Sequence, residues 1–341
     1  MNFIIKHDEL SIRYLQEGDE LFLLKWLTDQ QVLAYYEGRD RPYTREKVLE
    51  DFFIEDDEVR CLVLFHDIPI GYIQFYLLAE VEGIKLPDQS YGMDQFIGET
   101  SYWNKNIGKK LIRSVVHYIE KILKGSLVVM DPQHWNKRAI RCYQQVGFAN
   151  LGILPKHELH EGSWNDCILM AYDFAGYHIL PINHCNRETL SRLFVQLWGS
   201  TEMVISTGTY ILHELDGFIA YDSDGEIIGV ATYRLYEDHV EIISLDSLIE
   251  KEGIGGRLLM RIELVAVENG CSEMKVITTN DNLSAFEFYL RKRYRMKGVA
   301  RGAVDLARQV KPEIPLTGHQ NIPIHDEILL SKKLSSNKHR N

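Results

Sequence analysis

Apolar positions along residues 11–172 change period repeatedly, so strands and helices interleave. Glu20 to Leu33 carries apolar residues at helical spacing and predicts an amphipathic helix. Val59 to Phe65 is a short apolar run of strand length. The turn HDIPIG (66–71) joins it to a second strand, Gly71 to Leu78. A third strand surrounds Asp94. The segment KKLIRSVVHYIEKILKG (109–125) places Ile112, Val115, Val116, Ile119 and Ile122 on one helical face, with Gly125 as its stop. Leu127 to Met130 predicts a strand, Asn136 to Gln145 a helix and Cys167 to Tyr172 a final strand.

The same order then recurs. Leu190 to Trp198 predicts a helix, and Gly217 to Asp222 and Ile227 to Tyr236 predict strands joined by the turn signal DSDGE. Val240 to Leu245 is a further strand, EKEGIGGRLL a loop entering a helix, Met274 to Thr278 a strand, and NDNLSAFEFY the start of a short helix. The spacing repeats as well. Gly108 to Asn136 is 28 positions and Gly255 to Asn282 is 27, and a tyrosine follows each asparagine by seven, at Tyr143 and Tyr289. The pattern predicts two related α/β domains with mixed sheets. They are expected at 1–174 and 175–334, the boundary falling near Phe174 to His178, with 335–341 a disordered tail.

Composition narrows the classes of function. With 45% apolar and 26% charged residues the 341-residue chain reads as ordinary globular protein. No apolar run nears the roughly 20 residues of a membrane span, and MNFIIKHDELSIR lacks a secretory core, so a cytoplasmic protein without a membrane partner is expected. Five scattered cysteines without a CxxC fit reduced thiols. A formal charge of −11 argues against general nucleic-acid binding and suits a cationic small molecule. No pattern in the chain specifies an oligomeric state.

Asp94 stands out as a lone acid within an apolar strand, a few residues before WNKNIGKK (103–110) and a helix. A glycine- or asparagine-rich loop entering a helix aims several backbone N–H groups at one point beside the positive end of the dipole, where a pyrophosphate can bind. In DPQHWNKRAIRCYQQVGF (131–148), Asn136, Ala139 and Tyr143 share one helical face. The small Ala139 leaves room for a thin ligand, the Asn136 amide can bond an amide-bearing chain, and the Tyr143 hydroxyl can supply a proton. A helix packed on a sheet would also place Ala and Tyr there simply as core. The segment HELH (157–160) has neither the HExxH spacing nor further ligands, so no metal site is expected.

These motifs resemble the GCN5-related N-acetyltransferases (GNAT). The segments LKWLTD, YEGRDRPYT, PIGYIQ, YGMDQFIGE, DPQHWNKRAIRCYQQVGF and LPKHELHEG, spanning nearly all of 1–174, are similar to aminoglycoside 6'-N-acetyltransferases, in particular the acetyltransferase half of the bifunctional aminoglycoside-modifying enzyme. The resemblance implies tandem GNAT domains, acetyl-coenzyme A as donor and an aminoglycoside amine as acceptor. It implies Asp94 as base for the amine and Tyr143 as acid for the departing thiolate. Gln95, Phe96 and Ile97 would align the acetyl group, and Trp103, Asn104, Lys105, Asn106, Ile107, Gly108 and Lys109 would take the pyrophosphate. Trp103 and Asn106 replace the usual Gln or Arg and Gly of that loop; Asn tolerates the left-handed backbone such a turn needs.

Glu80, Glu82, Asp88, Glu158, Glu161 and Asp166 lie in segments that could line the amine entrance, and of these Glu158, Glu161 and Asp166 are expected, with Tyr91, to contact the acceptor. Residues 178–334 resemble a second GNAT domain without defined substrate. It keeps Gly253, Gly255, Asn282 and Tyr289, but has Glu250 in the loop and Arg293–Tyr294 in place of Gly–Phe. Ungapped counting, 14 positions before Gly255, makes Glu241 its candidate base. Two other readings stay open: acetylation of another small polyamine or amino sugar, and a non-catalytic binder of aminoglycosides or acyl-coenzyme A.

Overall fold

The computed structural model describes residues 3–6 and 9–334; the tail 335–341 lies outside the described residues. The chain divides into two compact units, residues 1–79 with 86–175 and residues 80–85 with 176–341.

The elements up to residue 85 are β1 (Phe3–Lys6), β2 (Leu10–Tyr14), α1 (Glu20–Trp26), α2 (Gln30–Leu33), α3 (Arg45–Phe52), β3 (Val59–Phe65), β4 (Ile68–Leu77), β5 (Glu80–Val81) and β6 (Ile84–Lys85). They continue with β7 (Ser90–Ile97), α4 (Ile107–Lys121), β8 (Leu127–Met130), α5 (Lys137–Val146), β9 (Ala149–His160) and β10 (Ser163–Asp173). The sheet of the first unit runs β1-β2-β3-β4-β7-β8-β10-β9, and β7–β8 is its parallel pair.

Strand alternation decides which face each side chain serves. Ile73, Phe75, Tyr91 and Met93 point into the core beneath α4, whose Leu111, Ile112, Val115, Val116 and Ile119 are buried there. Tyr72 and Phe96 pack on the opposite face, against Trp26, Leu27 and Val32 around α1 and α2 and Val48 and Phe52 of α3. Asp94 therefore belongs to the face of Phe96, away from α4.

The expected single helix over Glu20–Leu33 is two. The Thr28 hydroxyl bonds back to the Leu24 and Lys25 carbonyls, and the Asp29 carboxylate accepts the Gln31 amide at 2.8 Å as a fresh N-cap. The final strand predicted at Cys167 is the end of a long hairpin, β9 and β10, turned by Glu161 (φ +48°) and Gly162 (φ +74°). Two successive left-handed residues suit the twist of a tight hairpin.

Just past β7, a Cβ on Gly98 would stand 2.1 Å from the Trp26 ring, which is buried and donates its Nε1–H to Glu99 at 2.9 Å. Gly98→Ala is expected to destabilise the fold by roughly 1–3 kcal/mol, the cost of overpacking a filled site, read as a lower denaturation midpoint.

The second unit comprises β11 (His178–Pro181), α6 (Arg187–Trp198), β12 (Glu202–Ile205), β13 (Gly208–Ile211), β14 (Asp216–Tyr221), β15 (Ile227–Leu235) and β16 (His239–Ser247). It continues with α7 (Ile254–Glu268), β17 (Glu273–Thr279), α8 (Leu283–Arg291), β18 (Arg295–Ala300), α9 (Ala303–Val310) and β19 (Glu327–Lys333). Its main sheet runs β11-β14-β15-β16-β17-β19-β18, with β16–β17 the parallel pair. Both units thus carry the repeated order of strand, loop, long helix, parallel strand and short asparagine-capped helix. Among the described residues no helix is long and apolar enough to cross a membrane.

Candidate active site

In the first unit the β7–β8 ladder stops at Gly92–Val129, whereas β7 stays paired with β4 through Ile97. The strands part beyond Gly92. A cleft of about 960 Å³ opens there, and Asp94 stands on its wall. The Asp94 carboxylate accepts from the Gln74 amide at 3.0 Å and the Tyr76 hydroxyl at 3.3 Å, both on the adjacent β4. A Cβ on Gly92 would stand 2.6 Å from the Tyr76 ring, so this glycine lets the phenol lie across the strand and reach Asp94. Burial foremost, then the nearby charge of Asp131, pushes the Asp94 carboxyl from 3.8 up to about 6, against the two hydrogen bonds.

The loop after β7 is anchored by the Trp103 indole, which donates to the Ile97 carbonyl at 2.7 Å. Asn104 (φ +60°) and the N-cap Asn106 (φ +62°) are both left-handed, and Asn106 makes no side-chain cap bond. The first amides of α4 are thus left without a capping side chain from Asn106, in the geometry of an anion nest. Of the loop residues expected there, Trp103, Asn104, Asn106, Ile107, Gly108 and Lys109 line the cleft. Lys105 does not; its ammonium sits over the Tyr102 ring, 5.5 Å from the centroid.

The Asn136 side chain caps α5 by accepting the Ala139 amide at 3.2 Å, a structural task that leaves its own amide N–H groups for other partners. Ala139 and Tyr143 follow on the cleft side. Tyr143 is buried, and desolvation raises its phenol well above the usual range, with the Gln95 amide against it opposing the rise. Gln95, Phe96 and Ile97 line the cleft, and the Gln95 Oε1 is buried without a hydrogen-bond partner.

Charge is segregated along the cleft. Lys109, Lys137, Arg138 and Arg141 line the end formed by α4 and α5, while Glu37, Asp94, Asp131 and Glu158 supply its carboxylates. Glu158 accepts the Gln133 amide at 2.7 Å, and burial leads the causes that push its carboxyl up to about 7. Asp131 pairs with His157 Nε2 at 2.9 Å.

Several expected acceptor contacts fall elsewhere. Tyr91 is odd-numbered relative to Asp94 on β7 and so turns into the core, where its ring lies against Gly125. Glu161 sits in the β9–β10 turn, paired with Arg39. Asp166 is exposed and accepts the Lys156 amide at 2.8 Å. None of these three, nor Glu80, Glu82 or Asp88, lines the cleft. Conversely, Glu37, Gln74, Tyr76, Asp131, Gln133 and His157 were missed. Asp131 opens the DPQHW segment and His157 the HELH segment, whose spacing suits no metal; Gln74 and Tyr76 are ordinary strand residues until β4 and β7 are paired.

The second unit repeats the nest: Lys251 (φ +65°) and the N-cap Gly253 (φ +74°) match Asn104 and Asn106, and Asn282 caps α8 by accepting the Ala285 amide at 3.0 Å. Gly255 enters α7 against Leu245, and Tyr289 is buried as Tyr143 is. Glu241 does not occupy the position of Asp94. The β16–β17 ladder ends at Ile242–Val276, so by register Asp94, two past Gly92, corresponds to Ser244. Ser244 lies opposite Thr232 with hydroxyls 2.8 Å apart, as Asp94 lies opposite Gln74. The connection is three residues shorter, 13 from Ile242 to Gly255 against 16 from Gly92 to Gly108, which defeats ungapped counting. Glu241 is buried in the paired part of β16, its carboxylate accepting from Thr207 and Tyr210 at 2.8 Å each.

A parallel strand pair that parts beside an open-capped helix recurs in both units, and each unit matches a family of known proteins. The profile described as "Acetyltransferase (GNAT) domain" matches residues 16–154, and that described as "Acetyltransferase (GNAT) family" matches residues 186–294. The uncharacterized protein YxbD of Bacillus subtilis (strain 168) is 45% identical over 157 residues, 46% of this chain and 99% of that protein. YdhI of the same organism is 46% identical over 154 residues, 45% of this chain and 96% of that one. Aminoglycoside N(6')-acetyltransferase type 1 of Klebsiella pneumoniae is 27% identical over 156 residues, 43% and 78%. Among solved structures, the aminoglycoside acetyltransferase AAC(6')-Ib in complex with coenzyme A has 24% identity and a TM-score of 0.41, covering 48% of this chain and 95% of that one. With both units matched and the first nearly coextensive with two close relatives, the chain belongs to the GNAT acetyltransferase family, with two such domains in tandem.

Proposed function

We propose that the first unit transfers an acetyl group from acetyl-coenzyme A to a primary amine of a small polycationic acceptor, the 6'-amine of an aminoglycoside being the acceptor its sequence resemblance favours. The observation that carries this is Asp94, a buried carboxylate raised to about 6, standing where β7 and β8 part and a left-handed turn begins a helix. The residues fit the donor. The nest at Asn104–Gly108 suits a pyrophosphate, the Asn136 amide suits a pantetheine chain, and the orphaned Gln95 Oε1 waits beside the slot for an amide N–H. When bound, acetyl-coenzyme A would supply an activated acetyl thioester.

The chain's own groups then position and move protons. Asp94 accepts a proton from the arriving ammonium and leaves a neutral, nucleophilic nitrogen. The edge of β7 from Gln95 to Ile97, without a β8 partner, holds polar backbone groups beside the reacting carbonyl. Tyr143, kept protonated by burial, offers its hydroxyl proton where a thiolate departs. Tyr143→Phe is expected to lower kcat by about tenfold, less than loss of the base, because water also protonates a thiolate. The gain in the acyl step comes from holding two reactants in line, without a covalent enzyme intermediate.

Glu37, Asp131 and Glu158 would hold the acceptor's other ammonium groups. Glu158 is ionised above about pH 7 and neutral below it. Glu158→Gln is therefore expected to raise acceptor KM by about tenfold at pH 8 and much less at pH 6, where the native carboxyl is already protonated. Catalysis is assigned to the first unit, since the second carries Ser244 where Asp94 stands.

Thiol release from acetyl-coenzyme A on addition of kanamycin tests the reading. Release is expected, and release with tobramycin but not with an analogue lacking the 6'-amine fixes the position acylated. No release with any amine would leave a binding protein instead.

A further inference from the structure

Beside the main cleft lies a second cavity of about 430 Å³, sharing Tyr35 and Trp135 as a common wall. Its far side is built by a contact between distant segments: the Arg39 guanidinium bonds Glu161 at 2.7 Å, and the Arg39 amide also donates to that carboxylate at 3.2 Å. Gly38 (φ +102°) allows this approach, since a Cβ there would stand 3.3 Å from the Glu161 amide. Ser163 and Asn165 of β10 and the buried His160 complete the rim.

The chemistry differs from that of the cleft. Arg39 and Glu161 cancel each other, and among the described residues the wall carries no other Asp, Glu, Lys or Arg. Trp135 packs at a tilt against His160, ring centroids 5.4 Å apart, and against Tyr35 at 5.8 Å, yet stays 40% exposed, offering an aromatic surface to the cavity. Its indole N–H donates to Gln133 at 2.6 Å, and Gln133 in turn donates to Glu158 at 2.7 Å, so the wall is tied to the acidic part of the cleft. Aromatic faces flanked by neutral hydrogen-bonding groups suit a hydroxylated ring better than an ammonium.

We infer that this side cavity is a subsite for a neutral, hydroxyl-bearing ring carried by the same acceptor whose amine lies at Asp94, stacked on Trp135 and bonded by Ser163 and Asn165. The inference rests on the acyl-transfer reading for its ligand, and it goes further by dividing recognition into a charged cleft and a neutral annex. An acceptor carrying an uncharged hydroxylated ring then binds better than the same amine without that ring.

The test is calorimetric binding, to the full chain with coenzyme A present, of ribostamycin and of the same molecule without its uncharged ribose ring. Ser163→Trp, which fills the cavity from an exposed strand position, is expected to weaken ribostamycin by about tenfold relative to the molecule lacking the ribose. Trp135→Ala is expected to weaken it comparably and Trp135→Phe to restore most of the loss; thermal denaturation checks that each variant is folded. Equal effects on both ligands, or no effect, overturn the subsite, as does wild-type protein that binds neither. Binding with the expected pattern but without thiol release would sink the acyl-transfer reading and leave the subsite standing.

Discussion

Asp94→Asn is expected to lower kcat/KM for acetyl transfer by roughly 100-fold or more, the scale of losing a general base. The exchange keeps the shape and the acceptor oxygen, so the contact with the Gln74 amide survives. What is lost is the site for the ammonium proton. In the wild-type protein Asp94 is protonated below about pH 6, so kcat/KM should rise through that pH and the variant should lack this limb. Stability gives an independent sign. The folded-state value lies above the ordinary 3.8, so ionising Asp94 costs fold stability; the cost is absent below about pH 4 and complete above about pH 6. Asp94→Asn should therefore be more stable than wild type at pH 8 by up to about 3 kcal/mol, and equally stable at pH 4. Wild-type-like activity within a few-fold would mean that Asp94 is not the base.

Asn106→Val is expected to raise KM for acetyl-coenzyme A by at least about tenfold with far less effect on the acceptor. Asn106 holds φ +62° at the N-cap of α4, a conformation that a β-branched residue adopts at a cost of roughly 1–2 kcal/mol. Relieving that strain turns the neighbouring amides away from a common point, and the nest is lost. Asn106→Gly keeps the left-handed geometry and should bind the donor as wild type does. Initial-rate kinetics over donor concentration separate the two; an unchanged donor KM in the Val variant would remove the turn from the donor site.

What could be read from the chain and what could not divides by range in sequence. Asp94, Asn106, Asn136 and Tyr143 lie within a strand, a loop and two helices whose local signals are strong, and their grouping follows once β7 and α5 are seen as neighbours. The pairing of Gln74 and Tyr76 with Asp94 needs the register of β4 on β7, and the Asp131, Gln133, His157 and Glu158 cluster needs β9 folded back on β10. Neither register is written in any one segment. Tyr91 shares a motif with Asp94, but strand alternation puts it on the other face, in the core. A loop three residues shorter shifts every count across it onto Glu241, and the ladder to β17 identifies Ser244 instead. Glu161 and Asp166 are acids at a hairpin, and nothing local distinguishes a carboxylate neutralised by Arg39 from one aimed at a ligand.

The most direct measurement is a crystal structure of the protein with coenzyme A and an aminoglycoside bound together. The account predicts the pyrophosphate on the Asn104–Gly108 turn, the sulfur in the gap between β7 and β8, and the reacting amine within hydrogen-bond distance of Asp94. A diphosphate seated elsewhere, or an amine held on the far side of the cleft from Asp94, would contradict it.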